Sequence, residues 1–247
     1  MNDKPLRVED VSLSLGATVV FQHLSLSIGR GEFVAVVGPS GCGKTTLLNL
    51  LSRFIKPTAG KVECNGRVRM VYQHDSLFPW QTVSENISLG LRHLKDPSEK
   101  RRHLDAMLRL IKLENFADHY PHQLSGGMRQ RVELARALIG DTDILLLDEP
   151  FSSLDYLTRI RMRNELARML DQMPRTVVLV THDIEEAAQL ADRIVVLTDR
   201  PARVCSQFQI ELPRPRELTH PRVVETVHEI LTDLGLEHTG WQQVVAR

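Results

Sequence analysis

Gly38-Pro39-Ser40-Gly41-Cys42-Gly43-Lys44-Thr45-Thr46 stands between a short apolar segment, residues 32–37, and a leucine-rich segment, residues 47–54. The first reads as a strand and the second as a helix, and the first eight of the nine residues between them, Gly38 to Thr45, fit G-x-x-x-x-G-K-[ST]. Glycines let backbone N–H groups ring a phosphate, and the start of the following helix adds partial positive charge. In such a turn Lys44 reaches the outer phosphates as a point charge, and the Thr45 hydroxyl is placed for Mg²⁺. The stretch predicts a nucleoside triphosphate site on a parallel α/β core.

Outward from this turn the chain alternates strands and helices, which argues for a parallel sheet. Residues 7–15 and 19–28 alternate as strands, 57–60 read as a turn, and 61–72 resume β character in short pieces. Residues 83–138 are helical in pattern and lie between two β regions, so they form an inserted subdomain. Strands follow at 143–148, 176–181 and 193–197, with helices at 156–173 and 184–190. Pro213, Arg214 and Pro215 break the chain before a last helix, where Val223, Val224, Val227, Ile230, Leu231 and Leu234 share a face. The roughly 35 residues after Ile210 are too few for a typical regulatory β-barrel domain of about 50 or more. The division is therefore 1–212 for the main domain and 213–247 for a helical tail. The fold class is α/β: a P-loop core with an antiparallel β subdomain and an inserted α-helical subdomain.

Two strand ends supply the chemistry. The apolar run 144–147 delivers Asp148 and Glu149 to the crevice edge of the sheet. Asp148 suits Mg²⁺, and Glu149 suits accepting a proton from attacking water. The next strand repeats the layout and delivers His182. Cys42 lies in the phosphate turn near a helix start, which favours the thiolate.

Composition bounds the partners. Of 247 residues, 42% are hydrophobic and 25% charged, with 31 Lys plus Arg balancing 31 Asp plus Glu. That balance leaves no net field for nucleic acid or an anionic bilayer. Three scattered cysteines fit no metal-ligand spacing and argue for a reducing compartment. No apolar run approaches the ~20 residues that cross a bilayer, so work at a membrane requires a span from another chain.

Leu124, Ser125, Gly126, Gly127, Met128, Arg129, Gln130 and Arg131 form a second glycine-bearing helix start, a second anion site that a single cradle does not need. With this motif the chain resembles the ATP-binding-cassette (ABC) ATPases over residues 7–212, on five separately spaced motifs: 38–46, Gln73, 124–131, 147–155 and 181–183. The resemblance implies a homodimer that binds ATP and Mg²⁺. It implies that Gln73 touches Mg²⁺ together with Thr45 and Asp148. Ser125, Gly126 and Gly127, flanked by Leu124 and Gln130, would meet the γ-phosphate held by the opposite subunit. Asp155 resembles the loop aspartate that crosses the dimer, and His182 would sense the γ-phosphate. Leu15 stands where the family usually has an aromatic ring against adenine, while Phe21 reads as facing the core.

Three features resemble importers in particular: the lack of a fused membrane span, the stretch Tyr120, Pro121, His122, Gln123 before the second anion site, and Leu77, Phe78, Pro79 and Trp80 close behind Gln73. The last is similar to the nitrate, alkylsulfonate and taurine importer subgroup, where the aromatic pair would make a groove for a permease helix. A local core cluster is the competing reading of the same four residues. The resemblance implies a peripheral ATPase on the cytoplasmic side of the inner membrane, working with permease subunits and a periplasmic or extracellular solute-binding protein, and no nucleic acid. An exporter or lipid-trafficking cassette and a cassette acting on nucleic acid stay open as alternatives.

Overall fold

Four strands buried on both sides set the layers. In the computed structural model, which describes residues 4–73, 76–214 and 216–236, β1 (Leu6–Leu15), β2 (Thr18–Ile28) and β4 (Ala59–Cys64) make an antiparallel sheet in the order β2-β1-β4. The second sheet runs β5-β6-β7-β3-β8-β9, built from β3 (Phe33–Val37), β5 (Val68–Val71), β6 (Ile144–Asp148), β7 (Thr176–Val180), β8 (Arg193–Leu197) and β9 (Val204–Gln209). All its pairings are parallel except β8 with β9.

Strand side chains alternate between the two faces of this sheet. Val34, Val36, Leu146, Val178 and Val195 pack with α1 (Lys44–Leu51) and the antiparallel sheet. Phe33, Ala35, Leu145, Val177 and Ile194 pack with the other helices. These are α2 (Val83–Ser88), α3 (Pro97–Leu110), α4 (Gly126–Leu138), α5 (Tyr156–Gln172), α6 (Ile184–Leu190) and α7 (Pro221–Asp233). Double burial is why β3, β6 and β7 read as unbroken apolar runs. Because β3, β6 and β7 are parallel, residues 38, 148–149 and 181–182 emerge at one edge. Helices α2 to α4 fall within residues 83–138.

Four local expectations need correction. The helix after the glycine-rich turn begins at Lys44 and ends at Leu51, earlier than the glycine content implied, because Lys44 and Thr45 already belong to its first turn. The expected turn at 57–60 ends inside β4. There Gly60 has φ +83°, and an added Cβ would lie 2.3 Å from the Asp10 carbonyl oxygen, at a register shift in the β1–β4 pairing. Strand β9 was not anticipated, because its sequence carries only Val204 and Phe208 as half-buried apolar residues on an edge. On α7 the buried positions are Val223, Thr226 and Ile230, and Val224 is 53% exposed. A helical step of about 100° turns Val224 away from the seam that Val223 occupies.

The helix α7 packs on α6 and β9. Buried Arg216 fastens its approach by donating to the carbonyls of Ile210, Leu212, Ala188 and Ala191. Burial pushes the Arg216 guanidinium down to about 10. Pro215 of the expected breaker, and residues 237–247 of the expected tail, lie outside the described residues. Among the described residues no helix is long and apolar enough to cross a membrane.

Candidate functional site

The glycine-rich turn is supported from below by the β1–β2 hairpin. Gly43 has φ +119°, and an added Cβ would lie 2.7 Å from Val20 Cγ1 and 3.0 Å from Phe21 Cζ. Only glycine satisfies both the backbone angle and the space. Phe21 is fully buried against the turn, as its strand position implied. Leu15 ends β1 opposite Thr18 and is 51% exposed at the hairpin end. Lys44 Nζ donates to the carbonyls of Gly38 and Pro39, each at 2.9 Å, so the buried ammonium is held over the turn. From the other side, Arg200 Nε donates to the Gly41 carbonyl. Nothing in the sequence singles out this loop arginine.

Cys42 departs from expectation. It is 1% exposed, and burial pushes its thiol up, against the opposing pull of Lys44. The residue is a packed thiol, and Cys205 is the exposed one.

The acidic edge converges on the turn. Thr45 Oγ1 donates to Asp148 Oδ1 at 3.0 Å. Burial raises the Asp148 carboxyl above the usual carboxylate range, opposed by the Thr45 hydroxyl and assisted by the neighbouring Glu149 charge. Glu149 itself has φ +46°, a left-handed backbone that costs a non-glycine residue about 1–3 kcal/mol. Its N–H donates to the Val180 carbonyl at 2.8 Å, which locks the end of β6 to the end of β7. The Glu149 Oε2 is 3.0 Å from His182 Nδ1 and accepts from Gln73 Nε2 at 3.4 Å. Five side chains from four separate stretches thus meet at one edge: Thr45, Gln73, Asp148, Glu149 and His182.

Ser125, Gly126 and Gly127 belong to another neighbourhood, at the start of α4. Ser125 Oγ accepts from the Met128 N–H at 3.3 Å and caps the helix. A Cβ on Gly127 would lie 2.8 Å from Thr158 Cγ2, whereas one on Gly126 would meet Leu154 Cδ2 at an ordinary 3.5 Å. Leu124 is buried, and its carbonyl accepts from Arg129 Nη1 at 2.7 Å. Gln130 is buried, and its Nε2 has no hydrogen-bond partner among the described residues. Asp155 caps α5 by accepting from the Thr158 N–H at 3.1 Å, and its bonds with Thr158 hold the carboxyl below its usual range.

The segment 77–80 splits between the two readings given to it. Leu77 is 8% exposed and belongs to the core, so its side chain is not part of an exposed contact face. Phe78 and Trp80 are exposed, with ring centroids 5.4 Å apart, and the Arg136 guanidinium lies 5.9 Å from the Phe78 centroid. Fully buried Asn86 accepts from the Phe78 N–H at 2.9 Å and donates to the carbonyls of Phe78, Gln81 and Thr82 at 3.1, 3.0 and 3.0 Å. Sequence reading passed over Asn86, although a polar residue at a core position of a helix is itself a signal.

The chain is similar to known proteins in sequence and in fold. A family model described as ABC transporter matches residues 21–152. The aliphatic sulfonates import ATP-binding protein SsuB 1 of Shouchella clausii is 45% identical over 238 residues, covering 95% of this chain and 94% of that protein. The taurine import ATP-binding protein TauB of Pelagibacter ubique is 39% identical over 234 residues, covering 88% of each. Among solved structures, the dimeric bacterial ABC transporter cassette MJ0796 has a TM-score of 0.72 at 33% identity, covering 84% of this chain and 99% of that one. A post-hydrolysis state of the same cassette, bound to ADP and Pi, has a TM-score of 0.71 at 32% identity, with the same coverage.

Proposed function

The chain belongs to the ABC transporter family, as an ATP-hydrolysing subunit of an import system, and from that premise we propose which residues run the reaction and how two copies share it. The observation that carries the reading is the convergence on Glu149, with His182 Nδ1 at 3.0 Å, Gln73 Nε2 at 3.4 Å, and the Thr45–Asp148 pair beside it. Residues 38–46 wrap the phosphates with backbone N–H groups, and Lys44 moves from its carbonyl contacts to the outer phosphates. Glu149 accepts the proton of the attacking water. With Nδ1–H donated to Glu149, His182 offers Nε2–H to a phosphate oxygen only as the imidazolium.

Thr45, Asp148 and Gln73 would hold Mg²⁺. The fit is chemical: a buried carboxylate and a hydroxyl 3.0 Å apart are hard oxygen donors, and Mg²⁺ takes few protein ligands beside phosphates and water. When bound, the ion neutralises charge on the phosphates.

The second half of the site is the partner copy's Ser125–Gly127 helix start, which faces the γ-phosphate, with Leu124 and Gln130 shaping it and Asp155 crossing the interface. Closure around ATP and reopening after hydrolysis then drive a separate permease. Phe78, Pro79 and Trp80 make the contact with it. Leu15 rests on the base of ATP. Residues 1–212 form the cassette and 213–247 its helical tail. The chain works peripherally on the cytoplasmic side of the membrane, with a solute-binding protein on the other side. The solute is a small anion of the sulfonate, taurine or nitrate type, a reading supported for the first two by the sulfonate and taurine importers that the chain resembles.

Mixing two inactive variants tests the shared site. Lys44→Ala removes the phosphate counter-charge, and Gly126→Asp sets a carboxylate against the opposing phosphate. Gly126 is the better choice over Gly127, because a Cβ there meets Leu154 at 3.5 Å rather than Thr158 at 2.8 Å. In a mixed dimer one site carries both lesions and the other none. Phosphate release should recover, peaking near equal amounts. A flat response, with mixed dimers verified by differential tags, rejects the shared working site.

A further inference from the structure

Behind His182 lies a charged cluster that the mechanism does not use. Arg163, in the middle of α5, is 1% exposed, and a buried guanidinium is costly unless paired. Its Nη2 donates to Asp183 Oδ2 and lies 3.9 Å from Glu186 Oε2. One turn earlier, Arg159 Nη1 donates to the same Asp183 oxygen at 3.3 Å, and Arg159 Nη2 donates to the Leu154 carbonyl at 3.2 Å. Both ends of that bridge touch the proposed site. Leu154 directly precedes Asp155, the cap of α5. Asp183 directly follows His182, accepts from the Glu186 N–H at 2.9 Å, and donates its own N–H to Thr181 Oγ1 at 3.0 Å.

We propose that Arg159 is a positioning residue of the hydrolytic reaction. One arm of its guanidinium holds the strand end bearing His182, and the other holds the loop bearing Asp155. The histidine and the interface loop therefore keep one relative position. This rests on the reading of Glu149, His182 and Asp155 given above. Arginine is required because its planar fork donates in two directions at once, whereas a lysine ammonium is a single point charge on a flexible stem. Arg163 still neutralises Asp183 when Arg159 is replaced, so the fold has a second cation on that carboxylate.

Steady-state phosphate release by the full chain, measured against ATP concentration, tests this with Arg159→Met and Arg159→Lys. Arg159→Met should lower kcat about ten-fold or more and leave KM for ATP within about two-fold, because the lesion misplaces groups rather than removing phosphate contacts. Arg159→Lys should stay low in kcat, since the ammonium pairs with Asp183 but releases the Leu154 carbonyl. The thermal midpoint of Arg159→Lys should stay near that of the parent chain. Arg159→Lys alone decides the matter if Arg159→Met does not fold. Adding Asp155→Ala to the Arg159 variant should cost little more than the larger single loss, because both act through one connection. Recovery of kcat in Arg159→Lys, a KM that rises in step with the kcat loss, or additive losses with Asp155→Ala would each overturn the proposal. Glu149→Gln measured in parallel separates the two readings. Near-parental turnover there sinks the hydrolytic assignment, whereas loss there beside an unaffected Arg159→Met sinks only the role of Arg159.

Discussion

Glu186→Gln should flatten the pH dependence of stability, and the size of the effect follows from the burial of one carboxyl. Glu186 sits on α6 at 3% exposure, accepting from Thr181 Oγ1 at 2.9 Å. Burial raises it from 4.5 to about 7, against the pull of Arg163 and the Thr181 hydroxyl, because the nearer partner of Arg163 is Asp183. The folded chain therefore keeps a proton that the unfolded chain has released. The stabilising contribution is complete below about pH 4.5 and is lost as pH rises through about 7. A gap of this size corresponds to about 3 kcal/mol. Glutamine keeps an acceptor for Thr181 and never ionises. Urea unfolding at pH 5, 6, 7 and 8, at constant ionic strength, gives the stability of each protein by linear extrapolation. The variant-minus-parent difference should climb by up to about 3 kcal/mol across that range. Every other ionisable group is common to both proteins and cancels in the difference. A difference constant to within about 0.5 kcal/mol, the usual additivity error, would mean that Arg163 keeps Glu186 ionised throughout, and the argument from burial would fail.

Three further outcomes follow from the site. Glu149→Gln retains acceptors for His182 and Gln73 but takes no proton, so turnover should fall about 10²–10⁴-fold with ATP binding intact; size-exclusion chromatography with ATP should show a trapped dimer, and monomers only would count against it. Maleimide should label Cys205 equally with and without MgATP while Cys42 stays unlabelled in the folded chain; peptide mapping that finds nucleotide-protected labelling at Cys42 would contradict its burial. Leu15→Tyr should tighten ATP by several-fold, about 1 kcal/mol from ring stacking, and leave inorganic triphosphate unaffected; titration calorimetry showing no change for ATP would place residue 15 away from the base.

What the sequence made legible depends on whether a residue's job is local. The buried strands β3, β6 and β7 read correctly because burial on both faces leaves an unbroken apolar run with few alternatives. Lys44, Thr45, Asp148, Glu149 and His182 were legible because each sits at a fixed offset from such a strand. Strand β9 was hidden because an edge strand half in water carries little apolar signal. Gly60 read as a turn glycine, although the constraint on it is the Asp10 carbonyl about fifty positions away. Arg200, Arg159, Arg163 and Asn86 were illegible for a related reason. Each serves a carbonyl or carboxylate brought close only by the fold, and an isolated arginine or asparagine on a helix or loop carries no periodic mark.

Two of the residues proposed for the interface also have duties within their own chain. Ser125 and Asp155 are both helix N-caps, with local duties that would account for them completely. Those duties leave their capacity for a ligand partly intact. A hydroxyl that accepts from the Met128 N–H still has its own hydrogen to donate, and an exposed carboxylate has more lone pairs than the Thr158 N–H uses. Capping fixes the direction of each side chain before any partner arrives, so less ordering cost falls on dimer closure. The same cap leaves the first N–H groups of α4 unpaired within the helix, a ready site for an anion. A Ser125→Ala variant would thus lose a hydroxyl donor and a helix cap together, whereas Gly126→Asp places the new charge at the anion site while leaving the cap in place. That difference is why the mixing experiment is built on Gly126.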